Sequence, residues 1–534
     1  MSEYSALVMK CTSLFGNFFF KSLGTGVVRT ISPNEESRIN KIFITVILSL
    51  IFNLNYPLKL KSQNNLESIV DQKKRIEFEI DFLNRNNYLS RSKEYIFFLR
   101  ENESENDLKW NINLLDTNLI STQDTTILLD RSYFLKNINS FGNSFYMFFK
   151  KNYSNDKKYL IIRYEPENKR IIYNEIEFPL SLKVKKILYY ESYYVFLSET
   201  KNSKNLISIY NKNNRQLNNI YEFMYYDKDI TEISKIDSSK FSALILGNSS
   251  KGFKNNSRRV YGLNGHLKST IEIELDDYSI IDTKFLDNKY SLSLVGKKKS
   301  EEAIAVLINE INNEDILNTR MHMLKDIKSL NKIVSSKKSN KNKFRIGEIF
   351  LIDSVTKNND NIFFTIESLK EDFNNDGFSN YQYLPFYNSY SGTYDRKINP
   401  RFGGYIHNYF TILSFNMSGD LANDFSKKIN KLQTFERKTY LKYLLRDEDY
   451  IAFYVNKGKI SLTQFYKEDS KESQEYYYDI KSFDNNKVIK TETNPEGTNF
   501  WYNNYFITYG VQNIITSEKL KKRVFFINKF EIVN

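Results

Sequence analysis

One short stretch of the sequence has the residue types and spacing of a calcium-binding loop. Asp372, Asn374 and Asp376 place side-chain oxygens at alternate positions, and a glycine follows where such loops turn sharply. Phe378 would add its carbonyl oxygen, and Asn380 would coordinate directly or through a water molecule. These five residues are therefore a candidate Ca²⁺ site, and no other cofactor is expected.

The stretch departs from the best-known calcium loop in one respect. Position twelve is Tyr383, so the bidentate glutamate of an EF-hand is missing, and no paired helices are evident. A nine-residue loop like those on the blades of integrin-like propellers is the better analogue. The alternative is an ordinary turn, since a chain rich in asparagine produces this pattern easily.

Other metal and nucleophile chemistries have little support. Cys11 is the single cysteine, and His266, His322 and His407 lie far apart in sequence. The chain has no H-E-x-x-H, G-x-S-x-G or phosphate-loop pattern, which counts against the commonest hydrolases and nucleotide enzymes. Carboxylate chemistry remains open, but sequence alone selects no catalytic pair.

The basic charge does not indicate a nucleic-acid partner. The net charge is +13, yet lysine is over-used along the whole chain together with asparagine, isoleucine and tyrosine. The densest basic stretch, Lys325–Arg345, has few of the aromatic residues that stack on bases. We therefore expect a dispersed, solvated positive surface and no nucleic-acid binding.

Short aromatic and β-branched runs recur through much of the chain. Five of them start about 50 residues apart, a period typical of propeller blades; they are Tyr95–Leu99, Phe145–Phe149, Tyr193–Ser198, Phe241–Leu246 and Tyr290–Val295. Each interval also holds polar turns rich in Asn, Gly and Pro, which favour hairpins and antiparallel sheets.

Further runs near residues 362, 450 and 502 extend the series. The sequence thus predicts an all-β fold, a β-propeller of seven or eight blades. The alternation of apolar and acidic residues in Ile76–Phe82 indicates a half-buried strand. We expect this strand to complete the last blade of a closed ring.

The N-terminal region has the features of an export signal. Residues 1–41 carry several basic side chains and precede the short apolar segment Ile42–Leu54, which has the length of a signal-peptide core. We expect residues 1–63 to be a tail plus a cleaved signal peptide or an uncleaved signal anchor, and residues 64–534 to be one propeller-like domain. Uncleaved, Ile42–Leu54 would contact the membrane. The alternative is a buried element of a cytosolic protein.

Two regions interrupt the regular period. Glu310–Arg345 carries mixed helical signals, and a structureless insert is expected at about residues 368–404. The insert contains the aromatic stretch Tyr381–Tyr394, which would either form a stacking surface for a sugar or partner chain or pack over the propeller face. Inserts of this kind in repeat folds are often functional.

The C-terminal part of the chain, about the last 130 residues, has a family resemblance. Tyr405–Leu421 and Trp501–Lys529 resemble the closing section of uncharacterised exported proteins of Bacteroidetes-type bacteria. The resemblance implies an all-β fold and a location in the periplasm, outer membrane or cell surface. It implies no activity and no site residue.

The expected function is therefore that of a non-enzymatic scaffold or binding protein, exported or envelope-associated, whose propeller loops contact an envelope protein or a glycan. The alternative is a carbohydrate-active enzyme, a glycoside hydrolase or lyase, that uses acidic residues near the propeller axis.

Overall fold

The structure of the chain is a computed structural model. It describes residues 69–80, 87–103, 107–151, 157–225, 228–247, 256–273, 275, 278–286, 289–297, 302–312, 316–335, 348–358, 360–373, 383–388, 393–398, 402–446, 448–467, 473–483, 486–492 and 497–533. The expected signal segment Ile42–Leu54 lies outside the described residues. In the described ranges, no helix is long and apolar enough to span a membrane.

The described strands form eight antiparallel blades, so the propeller prediction is confirmed and the blade number is eight. Blade 1 consists of β2 (Asn87–Arg91), β3 (Ile96–Glu103), β4 (Leu108–Leu115) and β5 (Ser121–Leu129), and blade 2 of β6 (Tyr133–Phe141), β7 (Ser144–Lys151), β8 (Lys158–Glu165) and β9 (Arg170–Glu177). Blade 3 consists of β10 (Leu182–Tyr189), β11 (Tyr193–Thr200), β12 (Asn205–Asn211) and β13 (Leu217–Ile220), and blade 4 of β14 (Lys228–Lys235), β15 (Lys240–Gly247), β16 (Asn256–Gly262) and β17 (Leu267–Ile273).

Blades 5 to 8 follow the same plan. Blade 5 consists of β18 (Tyr278–Leu286), β19 (Tyr290–Lys297), β20 (Ala303–Ile311) and β21 (Ile316–Met323), and blade 6 of β22 (Ile349–Asn358), β23 (Asn361–Phe373), β26 (Phe402–Asn416) and β27 (Leu421–Thr434). Blade 7 consists of β28 (Lys442–Leu445), β29 (Asp449–Asn456), β30 (Lys459–Tyr466) and β31 (Gln474–Asp479). Blade 8 consists of β32 (Lys487–Glu492), β33 (Thr498–Tyr502), β34 (Tyr505–Ile515) and β35 (Lys521–Ile532), joined by β1 (Val70–Glu79). The short helices are α1 (Glu222–Tyr225), a 3-10 turn (Leu324–Asp326) and α2 (Lys328–Ser335).

The recurring aromatic runs are the second strands of the blades. In β11, for example, Tyr194, Val195 and Phe196 are consecutive and all fully buried, because both faces of a blade pack against neighbouring blades. A strand buried on both faces needs a continuous apolar run. The outer strands alternate instead, as in β5, where buried Ile127 and Leu129 flank exposed Leu128.

The ring is closed by strands from the two ends of the described chain. β1 pairs antiparallel with β35, from Val70 opposite Ile532 to Glu79 opposite Val524, and forms the outermost strand of blade 8. The amide of Val533 donates to the carbonyl of Ile69 at 2.7 Å. The prediction of a ring-completing strand is confirmed, although this strand starts six residues before Ile76.

A hydrophobic cluster lies at each of the eight interfaces between neighbouring blades. Between blades 1 and 2, the rings of Phe97 and Phe145 stack with centroids 4.8 Å apart. Between blades 8 and 1, Phe98 and Phe525 stack at the same separation. The core is therefore distributed around the ring, and each blade depends on both of its neighbours.

Two sequence expectations need correction. The predicted helical region begins with a strand, because Ile316–Met323 pairs with β20 as the outer strand of blade 5, and helix starts only at Leu324. The expected insert begins too early at residue 368, since β23 continues pairing with β26 as far as Phe373. It is also not structureless: β24 (Tyr383–Asn388) and β25 (Thr393–Ile398) form a hairpin between β23 and β26.

Candidate functional site at the propeller axis

The first strands of the blades surround the propeller axis. Each is the inner edge of its blade, and several neighbouring first strands contact one another. β2 contacts β6, β10 contacts β14, β14 contacts β18, and β18 contacts β22. Ligand sites of ring-shaped folds commonly lie at such central positions. The axial groups are therefore the first place to look for chemistry.

Six of these first strands carry a β-bulge at the corresponding position. The bulge displaces one residue from the pairing register, and the residue after it is polar in every case. We call these residues the axial polar positions; they are Asn137, Lys186, Glu232, Asp282, Ser354 and Lys490. A bulge re-aims side chains, so a repeated bulge places a polar group near the axis in blade after blade.

Charged side chains of the first strands link three consecutive blades. Glu232 of blade 4 receives Lys186 of blade 3 at 2.7 Å and Lys284 of blade 5 at 3.7 Å, measured from each Nζ to Oε1. The glutamate side chain is 14% exposed, whereas the two lysines are about 40% exposed. Exposed ion pairs of this kind contribute at most about 1 kcal/mol each, so the arrangement fixes orientation more than stability.

Two carboxyl groups near the axis are used as acceptors for neighbouring blades. Asp282 accepts the amide of Ile352 in blade 6 at 3.3 Å and the amide of Thr283 at 2.8 Å. Burial raises the pKa of Asp282, and the nearby charge of Glu232 raises it further against the opposing effect of Lys284. Burial likewise raises the pKa of Asp353, which accepts the Thr439 hydroxyl at 2.5 Å.

The raised pKa of Asp282 makes a pH-dependent stability prediction. The folded chain holds a proton on this carboxyl that the unfolded chain releases near pH 3.8, so the group's stabilising contribution is complete below that pH and is lost as pH rises through the higher folded pKa. Relative to wild type, Asp282→Asn should therefore become more stable as the pH rises above 3.8, measured by urea unfolding at a series of pH values. An unchanged difference across this range would contradict the assignment, and Asp360→Asn, an exposed turn residue, is the control.

A second polar centre lies between blades 6 and 7. Glu367 and His407 are both fully buried and lie on the neighbouring strands β23 and β26. Glu367 Oε1 and His407 Nδ1 form a hydrogen bond. His407 Nε2 lies 2.9 Å from the Thr434 hydroxyl. Glu367 Oε2 accepts the amides of Tyr440 at 2.9 Å and Leu441 at 3.4 Å. The pair therefore anchors the connection between β27 and β28.

The structure places the predicted calcium ligands only in part. Asp372 lies at the end of strand β23, and its Oδ2 accepts the side-chain amide of Gln433 at 3.0 Å. Asn374, Asp376, Phe378 and Asn380 lie outside the described residues. Among the residues that are described, no three His, Cys, Asp or Glu side chains group as a metal site.

Calcium binding at Asp372–Asn380 stays a prediction. Titration of Ca²⁺ into the full chain should release or absorb heat and raise the melting temperature, because an ion that binds only the folded state stabilises it by mass action. Asp376→Ala should abolish both effects. Asp360→Ala is the matched control, and equal calcium heats for the two variants would exclude this loop.

The other predicted groups are separated by the fold. His266, His322 and His407 lie in blades 4, 5 and 6, and His322 Nε2 contacts the Gly419 carbonyl at 2.7 Å. The aromatic stretch Tyr381–Tyr394 spans the hairpin of β24 and β25, whose backbone pairs Tyr387 with Tyr394. The side chains of that hairpin are outside the described set.

Sequence reasoning missed the axial polar positions and the Glu367–His407 pair. The axial signal is an apolar residue, one variable residue and a polar residue in the strand ahead of each aromatic run, as in Ile230-Thr231-Glu232 and Ile280-Ile281-Asp282. Aligning the repeats on their aromatic runs would reveal it. The buried pair has no such signal, because its two members lie 40 residues apart on strands separated by the insert.

The fold and its axial arrangement define this chain as an eight-bladed β-propeller. No protein-family model and no curated protein matches it. Similar solved structures include the β-propeller domain of the Trilobed protease from Pyrococcus furiosus, with 10% identity, 75% of this chain and 99% of that chain covered, and a TM-score of 0.32. Saccharomyces cerevisiae Sqt1 has 8% identity, with 87% of this chain and 100% of that chain covered and a TM-score of 0.39. Polysaccharide lyase Uly1 has 8% identity, with 74% of this chain and 89% of that chain covered and a TM-score of 0.36. At these values the likenesses carry no statement about function.

Proposed function

We propose that this propeller is a non-enzymatic binding scaffold, exported or associated with the cell envelope, whose loops contact a protein or glycan partner. The observation that carries the proposal is the engagement of the axial carboxylates. Glu232 is held by two lysines of the flanking blades, and Asp282 accepts two backbone amides. Both groups thereby brace the ring, which suits a rigid platform better than a proton-transfer site.

The hairpin in blade 6 supports a role in contact. It is inserted between β23 and β26, whose pairing ends with Phe373 opposite Phe402. Because these two residues are already neighbours, the blade does not need the intervening segment for its own pairing. A segment that the pairing of its own blade does not require can serve as a contact element.

The cellular location forms part of the same proposal. The apolar segment Ile42–Leu54 behind a basic N-terminal region supports export by a signal peptide or signal anchor. Fractionation of cells producing the full chain should recover it from the envelope or periplasm. Recovery of the intact 63.4 kDa chain from the cytosol would contradict export.

The test of the binding role uses chemical crosslinking and purification of the tagged full chain from envelope fractions. Wild type should recover a discrete partner, and a variant with residues 374–401 replaced by a short Gly-Ser turn between Phe373 and Phe402 should lose it. Equal thermal stability of the two chains is the control for folding. Failure of wild type to retain any protein or glycan would contradict the scaffold.

One observation favours a second candidate, a glycoside hydrolase or lyase. Burial raises the pKa of Asp282, whereas Glu232 in the neighbouring blade is paired with lysines. Two carboxyl groups in such unlike environments resemble the acid and its partner carboxylate in glycosidases. Incubation with a panel of polysaccharides should then release reducing ends, and Asp282→Asn should abolish the release. Activity that survives in Asp282→Asn would exclude this pair.

A further inference from the structure

A cavity lies between blades 7 and 8, and its lining includes Lys490, one of the axial polar positions. Its volume is about 530 Å³, within the range of about 300 to 1,000 Å³ common for ligand pockets. One wall is the turn of Lys457 and Gly458 between β29 and β30, and the other is the bulged strand β32. The segment Lys481–Phe483, which connects the two blades, forms its base.

The base of this cavity is rigidly held by the closing strand β1. Arg75 donates from Nη1 to the carbonyl of Lys481 at 3.0 Å, and the hydroxyl of Ser482 donates to Glu77 at 2.9 Å. The guanidinium of Arg75 lies 6.0 Å from the centre of the Phe483 ring. A site fixed in advance loses less entropy on binding, and ring closure provides that fixation here.

Two apolar side chains are exposed in this cavity. Phe483 is 49% exposed and Ile489 is 53% exposed. Ile489 is the bulged residue of β32, and the same position holds exposed Lys136 and Lys185 in blades 2 and 3. Blade 8 thus presents an exposed aliphatic side chain next to an exposed aromatic one, and an apolar face of a ligand could cover both.

The polar lining is predominantly cationic and rich in hydrogen-bonding groups. Lys457, Lys481 and Lys490 line the cavity; Lys490 also pairs with Glu492, and the one acidic lining residue, Asp479, pairs with Lys459. The side chains of Asn486 and Thr491 also line it. The Thr491 hydroxyl accepts the side-chain amide of Gln512 at 3.0 Å, and a hydroxyl in this role can also donate its proton to a ligand.

We propose that this cavity binds an acidic sugar residue of a glycan, with the sugar ring against Phe483 and Ile489 and its carboxylate at the lysines. The C–H bonds on the face of a pyranose carry partial positive charge and are attracted to the negative face of an aromatic ring. Lysine ammonium groups bind carboxylates as point charges without demanding one geometry. Asn486 and Thr491 form hydrogen bonds with the sugar hydroxyls. An acidic peptide has the charge but lacks a rigid apolar face of this shape.

This inference rests on the proposed binding function and names the ligand class. Its test is calorimetric titration of the full chain with oligosaccharides of galacturonic, glucuronic and mannuronic acid. At least one should bind, and its methyl ester, which has the same ring without the charge, should bind at least about tenfold more weakly. Phe483→Ala and Lys481→Gln should each weaken binding by about tenfold or more.

Matched controls come from exposed residues of the same types elsewhere. Phe435→Ala and Lys109→Gln should leave uronate binding unchanged, since Phe435 is 71% exposed and neither lines the cavity. Absence of binding to all three uronates, equal binding of acid and ester, or tighter binding of tetraglutamate would each overturn the proposal. If none of the uronates binds while the wild-type chain still recovers its partner from envelope fractions, the acidic-sugar site fails while the scaffold function stands.

Discussion

Replacing Arg75 with methionine is expected to lower the free energy of unfolding by about 3 to 5 kcal/mol, the cost of removing one member of a buried, hydrogen-bonded ionic group. Arg75 is buried in the closing strand, where Nε donates to Glu77 at 2.6 Å and Nη2 donates to Gln512 at 2.6 Å. Nη1 donates to Asn528 and to the Lys481 carbonyl, both at 3.0 Å. Methionine fills similar space but leaves all four acceptors without this donor.

Urea unfolding followed by the fluorescence of the two buried tryptophans, Trp110 and Trp501, measures this effect. Arg75→Lys keeps the charge but lacks the planar fork that reaches several acceptors, so its loss should be intermediate. Arg170→Met, at an exposed position in β9, should change stability by less than about 0.5 kcal/mol. Equal losses for Arg75→Met and Arg170→Met would show that Arg75 does not hold the closing strand.

Replacing Glu367 with leucine should cost a similar amount, about 3 to 5 kcal/mol, because it leaves buried groups unsatisfied. His407 and the amides of Tyr440 and Leu441 would lose their acceptor in a place that water does not reach. The connection between blades 6 and 7 should then open first. Hydrogen exchange should show faster exchange of the Tyr440 and Leu441 amides than in wild type.

Glu367→Gln is the matched variant for this site. Its carbonyl can still accept the two amides, and its NH₂ can donate to Nδ1 of a neutral histidine whose Nε2–H donates to Thr434. The Thr434 hydroxyl in turn has an acceptor in the Glu436 carbonyl at 3.1 Å. Glu367→Gln should therefore keep most of the stability that Glu367→Leu loses. A loss as large in both variants would mean that the negative charge, and not the hydrogen bonds, is needed.

Much of the fold was accessible from the sequence because the central strands of a propeller are buried on both faces. Because of that burial, each repeat contains a continuous apolar run such as Tyr193–Ser198. The spacing of these runs then predicts the blades. The blade number stayed open because the spacing widens where the connection containing α2 and the hairpin of β24 and β25 enlarge blades 5 and 6. The error at Ile316–Met323 has a similar cause, since a mostly exposed outer strand has no strong period.

The candidate site was less accessible for physical reasons. Residues at the axial polar positions are alike in being polar but differ in charge and size, from Asn137 to Lys186 to Glu232, so they produce no fixed motif. Their role depends on contacts with residues of neighbouring blades, and those residues are distant in the sequence. Glu367 and His407 illustrate the same point, because burial of both side chains and their mutual bond appear only when β23 and β26 are paired. The calcium prediction at Asp372 remains a prediction.

The antiparallel pairing of β1 with β35 places Ile69 beside Val533, so a propeller of this kind has no obligatory starting blade. A short linker between these neighbours would make the backbone of the ring continuous, and a cut in any exposed connection between blades would then give a circular permutant with the same interfaces. The blades of such a permutant would be synthesised in a different order. Because each blade packs against both neighbours, the folded ring would nevertheless be the same. Such permutants would place a fused tag or probe at any chosen blade.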